Sequence, residues 1–163
     1  MRFSLRTASG ADLPYLAQMN QQLIQDEGSR NPMNVAQLEA RLRGWLDSGE
    51  WTVDVVETED EGRTTGEEGI RNTPHALRII GYAVYQQRAD DYEPSQPVVY
   101  VRQFYIERER RGQGLGRRAF AQLAKERFPP GATLVLDVLA TNPRGRQFWE
   151  SLGFHTYCTT MTR

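Results

Sequence analysis

Cysteine is nearly missing from this chain. Cys158 is the only one in 163 residues, so no disulfide forms within the chain and metal clusters built on cysteine pairs are excluded. A reducing cytosol is the expected compartment. Histidine is almost as scarce: His75 and His155 lie far apart with no acidic or cysteine ligand spacing, and no metal site is expected. No apolar run approaches the roughly 18 residues of a membrane span. The opening Met1-Arg2-Phe3-Ser4-Leu5-Arg6 lacks the long apolar run of a secretory leader, so neither export by that route nor membrane embedding is expected. A net charge of −1 gives no overall pull toward nucleic acid or anionic membrane, and any basic site must be local. Lysine is reduced to Lys125 among 20 basic residues, a bias the sequence does not explain.

What is present is ordinary for a soluble globular protein, with 39% hydrophobic and 25% charged residues. The length suits one sizeable core and is short for two, so a single domain over 1–163 is expected. Phe3 to Arg6 alternates as a short strand. A helix follows from Ala11 or Asp12 to Ile24, with Leu13, Leu16, Ala17, Leu23 and Ile24 inward and Pro14 in its first turn. A polar loop, Asp26 to Pro32, leads to a second helix beyond Asn34, with Val35, Leu38, Leu42, Trp45 and Leu46 inward and Ser48-Gly49 as its stop. Trp51 to Glu57 and Leu77 to Gln87 read as strands, and the acidic, glycine-bearing stretch 58–75 between them as a mobile hairpin insertion.

The next stretch organises the rest. Val98 to Ile106 is rich in β-branched and aromatic residues, Glu107-Arg108-Glu109-Arg110 is a charged turn, and Arg111-Gly112-Gln113-Gly114-Leu115-Gly116 opens a helix ending at Pro129-Pro130-Gly131. The first amides of a helix have no partners inside it and point outward at the positive end of the dipole; glycines there let a phosphate approach the backbone. A dinucleotide fingerprint from Gly112 would need glycine where Arg117 stands, and a P-loop would need Gly-Lys-Ser/Thr. Both fail. Beyond, Thr133 to Leu139 reads as a buried strand, Pro143 to Leu152 as a short helix, and Phe154 to Thr162 as a last strand in which Cys158 is a small core residue.

Arg111-x-x-Gly114-x-Gly116 after a strand resembles the coenzyme A diphosphate loop of the GNAT superfamily of acyl-CoA N-acyltransferases. Asn142, Gly145, Phe148 and Trp149, followed by Gly153-Phe154, resemble that family's second block in order and spacing. The resemblance implies a mixed α/β (α+β) fold with a mainly antiparallel sheet and about four helices, in which the strand before the glycine turn splays from the next. It implies acetyl transfer from acetyl-CoA to a primary amine of a small molecule or peptide by direct attack, and homodimers are common in the family. Carried over by position, Arg111, Gly112, Gln113, Gly114, Leu115, Gly116 and Arg117 surround the diphosphate. Backbone groups of Phe104, Tyr105 and Ile106 pair with pantetheine, and Asn142 and Phe148 border the sulfur end. Asp26, Glu27, Arg30 and Asn31 line the acceptor side.

The reacting groups depart from the family pattern. Tyr100 and Arg102 stand where some members have a glutamate or histidine base, and neither is a ready base at neutral pH. Water leading to Glu57, Asp137 or Asp26, or an acceptor arriving neutral, remain as routes. Trp149 stands where many members have a tyrosine that protonates the thiolate; Tyr157, Tyr105 or an unprotonated thiolate would replace it. A non-catalytic acetyl-CoA-binding module is the alternative. Arg102, turned into the acceptor slot, would favour a small anionic amine, whereas a rim ion pair with Glu107 or Glu109 would explain it otherwise. Those two glutamates also argue against a nucleic-acid patch over Arg102 to Arg118.

Overall fold

The structure is a computed structural model that describes residues 3–59 and 77–163. In chain order it contains β1 (Phe3–Thr7), α1 (Leu13–Asp26), α2 (Val35–Ser48), β2 (Thr52–Glu59), β3 (Leu77–Ala89), β4 (Pro97–Ile106), α3 (Leu115–Arg127), β5 (Thr133–Leu136) and α4 (Pro143–Ser151), with one 3-10 turn at Arg108–Arg110. The strands form one sheet in the order β1-β2-β3-β4-β5, antiparallel except for the parallel β4–β5 pair.

Each helix forms where the sequence supplies both an apolar stripe and an end signal. In α1, Leu13, Leu16, Ala17, Asn20 and Leu23 are buried at i, i+3, i+4, i+7 spacing, and proline occupies the first turn. In α2, the Asn34 side chain and the Gln37 side chain cap each other's backbone, Leu38 and Leu42 are fully buried, and Gly49 ends the helix in the left-handed region. Strand alternation splits the sheet residues between two layers. Val53, Val55, Tyr82, Val84 and Tyr105 pack under α1 and α2. Ala83, Tyr85, Val99, Val101 and Phe104 pack toward α3 and α4. The second layer is pinned by Asp54, which is fully buried and accepts from Arg127 Nε, Tyr85 Oη and Thr7 Oγ1 at 2.9, 2.9 and 3.1 Å. A buried carboxylate so fully paired ties α3 to the sheet.

The chain departs from the sequence expectations at its end. No strand forms from Phe154 to Thr162: residues 155–163 are exposed, Tyr157 and Met161 at 88% each. Strand-favouring Thr and aromatic residues are not sufficient there, because beyond Phe154 the segment stays exposed and no described strand pairs with it. Cys158 is accordingly exposed and not a core residue. β5 stops at Leu136, short of the expected Leu139. Thr58 and Glu59 extend β2; the rest of the expected insertion, with His75, lies outside the described residues.

Candidate functional site

The glycine turn closes β4 onto α3 in an open geometry. Gly112 and Gly114 have φ of +78° and +72°, Gly114 is the N-cap of α3, and no side chain caps that end. A Cβ on either glycine would meet nothing within 4 Å. The first amides of α3 have no side-chain cap and lie at the positive end of the dipole, where an anion is favoured. Leu115 roots the first turn in the core, and Gly116 lets α3 approach α4 so closely that a Cβ would sit 3.2 Å from the Phe148 ring. Gln113 lies exposed on the turn.

The arginines beside the turn are engaged elsewhere. Arg111 donates Nε to the Ile106 carbonyl at 2.9 Å and pairs with Asp26 at 2.7 Å. Arg117 donates to the Ser151 carbonyl at 2.9 Å, so it holds the end of α4 in this conformation.

Upstream of the turn, β4 has a free edge. Its ladder with β5 runs only from Val98↔Thr133 to Val101↔Leu136, and from Arg102 to Ile106 no described strand pairs with that side. The resemblance implied an opening at this place, and the register shows the ladder ending here as β5 ends. Phe148 of α4 stacks against Phe104 beside it, centroids 6.1 Å apart and planes 10° apart. Asn142 caps α4 by accepting from Gly145 N–H at 2.8 Å. Thr141 donates its hydroxyl to the Glu27 carbonyl at 2.6 Å, joining this loop to the loop after α1.

The β3–β4 register shifts in the middle. Gln103 pairs with Val84 and Val101 with Tyr85, so Arg102 is an extra residue in β4. On the α1/α2 side its guanidinium lies over both Trp45 and Trp51, at 5.2 and 5.3 Å from the ring centroids. Glu107, the rival partner, is buried and taken by Arg78 at 3.1 Å and by the Tyr15 hydroxyl. Tyr100 donates to Asp137 at 2.5 Å; burial, and then that carboxylate, push its hydroxyl up to about 12.

The remaining carboxylates separate clearly. Burial works against ionisation of Asp26, but hydrogen bonds from Arg108 and Arg111 hold its carboxyl below the usual range. Glu57 is bound by Arg6 at 2.8 Å. Glu27 is half-buried, and burial first, then the charge of Asp26, raise its carboxyl above the usual range. Burial pushes the Tyr82 hydroxyl well above its usual range, and it donates to Gln103 at 3.1 Å. Asn31 folds its own loop, accepting from Met33 N–H at 3.0 Å. Trp149 belongs to the other layer, 5.0 Å from Phe120 and 5.3 Å from Phe154. Sequence reasoning missed Arg41 and Asn20. The signal was there: each is a polar residue within an inward stripe, and they meet at 2.8 Å.

The model of the acetyltransferase (GNAT) family matches residues 31–154, more than half the chain. This protein belongs to the GNAT family. The match ends at Phe154, where regular structure has ended too. Solved structures share the GNAT fold at low identity. A possible acetyltransferase from Clostridium difficile 630 aligns with a TM-score of 0.72 at 16% identity, over 100% of this chain and 97% of that one. A predicted acetyltransferase from Clostridium acetobutylicum, solved with acetyl-CoA, gives 0.68 at 16% identity over 99% and 96%. Glucosamine-6-phosphate N-acetyltransferase from Arabidopsis thaliana gives 0.63 at 14% identity over 100% and 98%. No curated protein sequence matches this GNAT member. No helix among the described residues is long and apolar enough to cross a membrane.

Proposed function

We propose that this GNAT protein is an N-acetyltransferase acting as one domain, in which an amine and acetyl-CoA meet at the free edge of β4. The observation that carries this reading is the combination of an unoccluded, uncapped α3 N-terminus with an unpaired β4 edge leading away from it. The residues fit the cofactor. Amides of Gly112 to Gly116 hold the diphosphate, and backbone groups of Phe104, Tyr105 and Ile106 pair with pantetheine as an added strand would. Bound acetyl-CoA supplies an activated thioester.

The chain's own residues do the rest. One amide on the β4 edge faces the thioester carbonyl, a donor worth about 3 kcal/mol when removed. Glu27, and not Tyr100, takes the ammonium proton. Its raised carboxyl brings it closer to neutral pH, and unlike Asp26 it has no arginine partner among the described residues. Tyr100 and Trp149 act through packing. The amine nitrogen gains the acetyl carbon as the carbon–sulfur bond breaks, and the thiolate collects its proton from solvent, an undemanding step for a thiol of pKa about 8.5.

Calorimetry with acetyl-CoA, followed by free-thiol release with an amine panel, tests the proposal. Binding plus amine-dependent thiol release is the expected result. Binding with release no faster than hydrolysis would identify a binding module instead.

A further inference from the structure

The α1/α2 side of the sheet carries a platform of aromatic rings covered by positive charge. Trp45 and Trp51 lie 5.8 Å apart, and Trp51 meets Tyr100 edge-on at 6.1 Å. Arg41 sits 4.9 Å above Trp45, Arg102 bridges Trp45 and Trp51, and Arg88 lies 4.4 Å over Tyr100. None of these arginines has an ion-pair partner among the described residues. Asp137, the carboxylate beside the platform, accepts the Tyr100 hydroxyl.

This arrangement costs the fold free energy. Arg41 is half-buried, its Nε is sealed from solvent with no hydrogen-bond partner, and burial and then the Arg102 charge both work against its protonation. A surface chosen for stability would place a carboxylate there. Among the described residues, exposed Arg102 makes no side-chain hydrogen bond with the guanidinium it holds above its rings, while Arg41 spends one N–H on buried Asn20 at 2.8 Å and keeps its other terminal nitrogen uncommitted. Arg102 is the extra residue in β4, and alternation from Tyr100 puts it on the platform side. The location is specific too. Arg102 begins the unpaired β4 edge, four residues or roughly 13 Å of strand from Ile106 at the diphosphate end.

We infer that Arg41 and Arg102, over Trp45 and Trp51, grip an anionic group on the acceptor, so that the substrate class is a small primary amine bearing a phosphate or a carboxylate. This rests on the acetyl-transfer reading for the amine's role, while the anion grip itself does not. Arg88, over Tyr100, adds a further positive charge, and Glu27 receives the ammonium proton as proposed above.

The test pairs catalysis with binding. Phosphoethanolamine, β-alanine, ethanolamine and putrescine are compared by thiol release with acetyl-CoA. The same four are titrated against tryptophan fluorescence with coenzyme A present, since Trp45 and Trp51 line the site. Phosphoethanolamine or β-alanine should be preferred at least tenfold in kcat/KM over the other two, and the better of them names the anion. Arg102→Gln should raise KM for that acceptor at least about tenfold, the effect of losing a charge-assisted contact, with acetyl-CoA affinity unchanged. Arg102→Lys should recover part of the loss, and Arg41→Gln should match Arg102→Gln. Preference for ethanolamine or putrescine, or an unchanged KM in Arg102→Gln, overturns the inference. If no amine releases thiol, fluorescence decides: anion-selective quenching lost in Arg102→Gln upholds the grip while the transferase reading fails, and quenching absent or indifferent to charge defeats the grip.

Discussion

Replacing Gly114 with alanine tests the anion cradle, and Gly49 supplies a matched control. Both glycines are left-handed, with φ, ψ of 72°, 4° and 68°, 0°, and a Cβ on either would meet nothing within 4 Å. The left-handed region costs an alanine roughly 1–2 kcal/mol, and the stiffer unfolded chain offsets about 0.4–1 kcal/mol of that. Each variant should thus lose about 1 kcal/mol, or about 2–4 °C in melting temperature for a domain of this size. Sterically the folds should be otherwise unaffected. On the proposed binding mode, however, only the Gly114 methyl group would stand at the helix end that receives the diphosphate. Acetyl-CoA at about a hundred times its Kd stabilises wild type by about 2.7 kcal/mol, or about 5–11 °C. Gly49→Ala should keep that full shift, whereas a tenfold weaker Kd in Gly114→Ala removes about 1.4 kcal/mol of it. The assay is a thermal melt of the three proteins with and without acetyl-CoA. Equal ligand shifts in the two variants would refute the placement of the diphosphate at this helix end.

Three further outcomes are expected. Because the native state favours protonated Glu27, its stabilising effect is present at low pH and lost as pH rises through the raised value. Glu27→Gln should therefore melt no lower than wild type at pH 7 while turning over far more slowly, and wild-type kcat should climb with pH before levelling; a lower melting temperature with intact turnover contradicts both. The Asp12 carboxyl is pulled from 3.8 to about 2, first by its hydrogen bond from Arg6, so its contribution holds above the unfolded value and disappears as pH falls through about 2. Asp12→Asn should cost about 1 kcal/mol at pH 7 after screening of the half-exposed pair, a gap in urea unfolding that closes between pH 4 and pH 2. Tyr100→Phe should keep turnover within about twofold, because the hydroxyl serves Asp137; a hundredfold loss would return Tyr100 to the chemistry.

Most of the architecture was legible because each element carried its own local signal. The Asn34–Gln37 cap, Gly49, Pro14 and the Pro129-Pro130-Gly131 stop all mark boundaries in the sequence, and the stripes of α1 and α2 named their buried leucines. The last strand was misread because propensity cannot say whether a partner exists, and residues 155–163 have none. At the site, the glycines announced an open helix end. Glu27 and Asp26 were indistinguishable as neighbours in sequence, and only the arrival of Arg108 and Arg111 from 82 and 85 positions away separates a tethered carboxylate from an available one. Trp45, Trp51 and Arg102 likewise converge through packing of α2 on the sheet, which no spacing encodes.

The unpaired residue in β4 also sets the phase of everything after it. Val99 and Val101 face α3 as odd-numbered residues, yet Phe104 and Ile106 reach that same layer as even-numbered ones, while Gln103 and Tyr105 turn to α1 and α2. Losing Arg102 alone would restore a regular ladder and leave Gln103 to Ile106 on the faces they already hold, whereas losing one residue from the paired stretch Val98 to Val101 would exchange the destinations of the side chains on one side of the gap. This protein should accordingly tolerate many substitutions along that strand, and a change in its length only at the bulge.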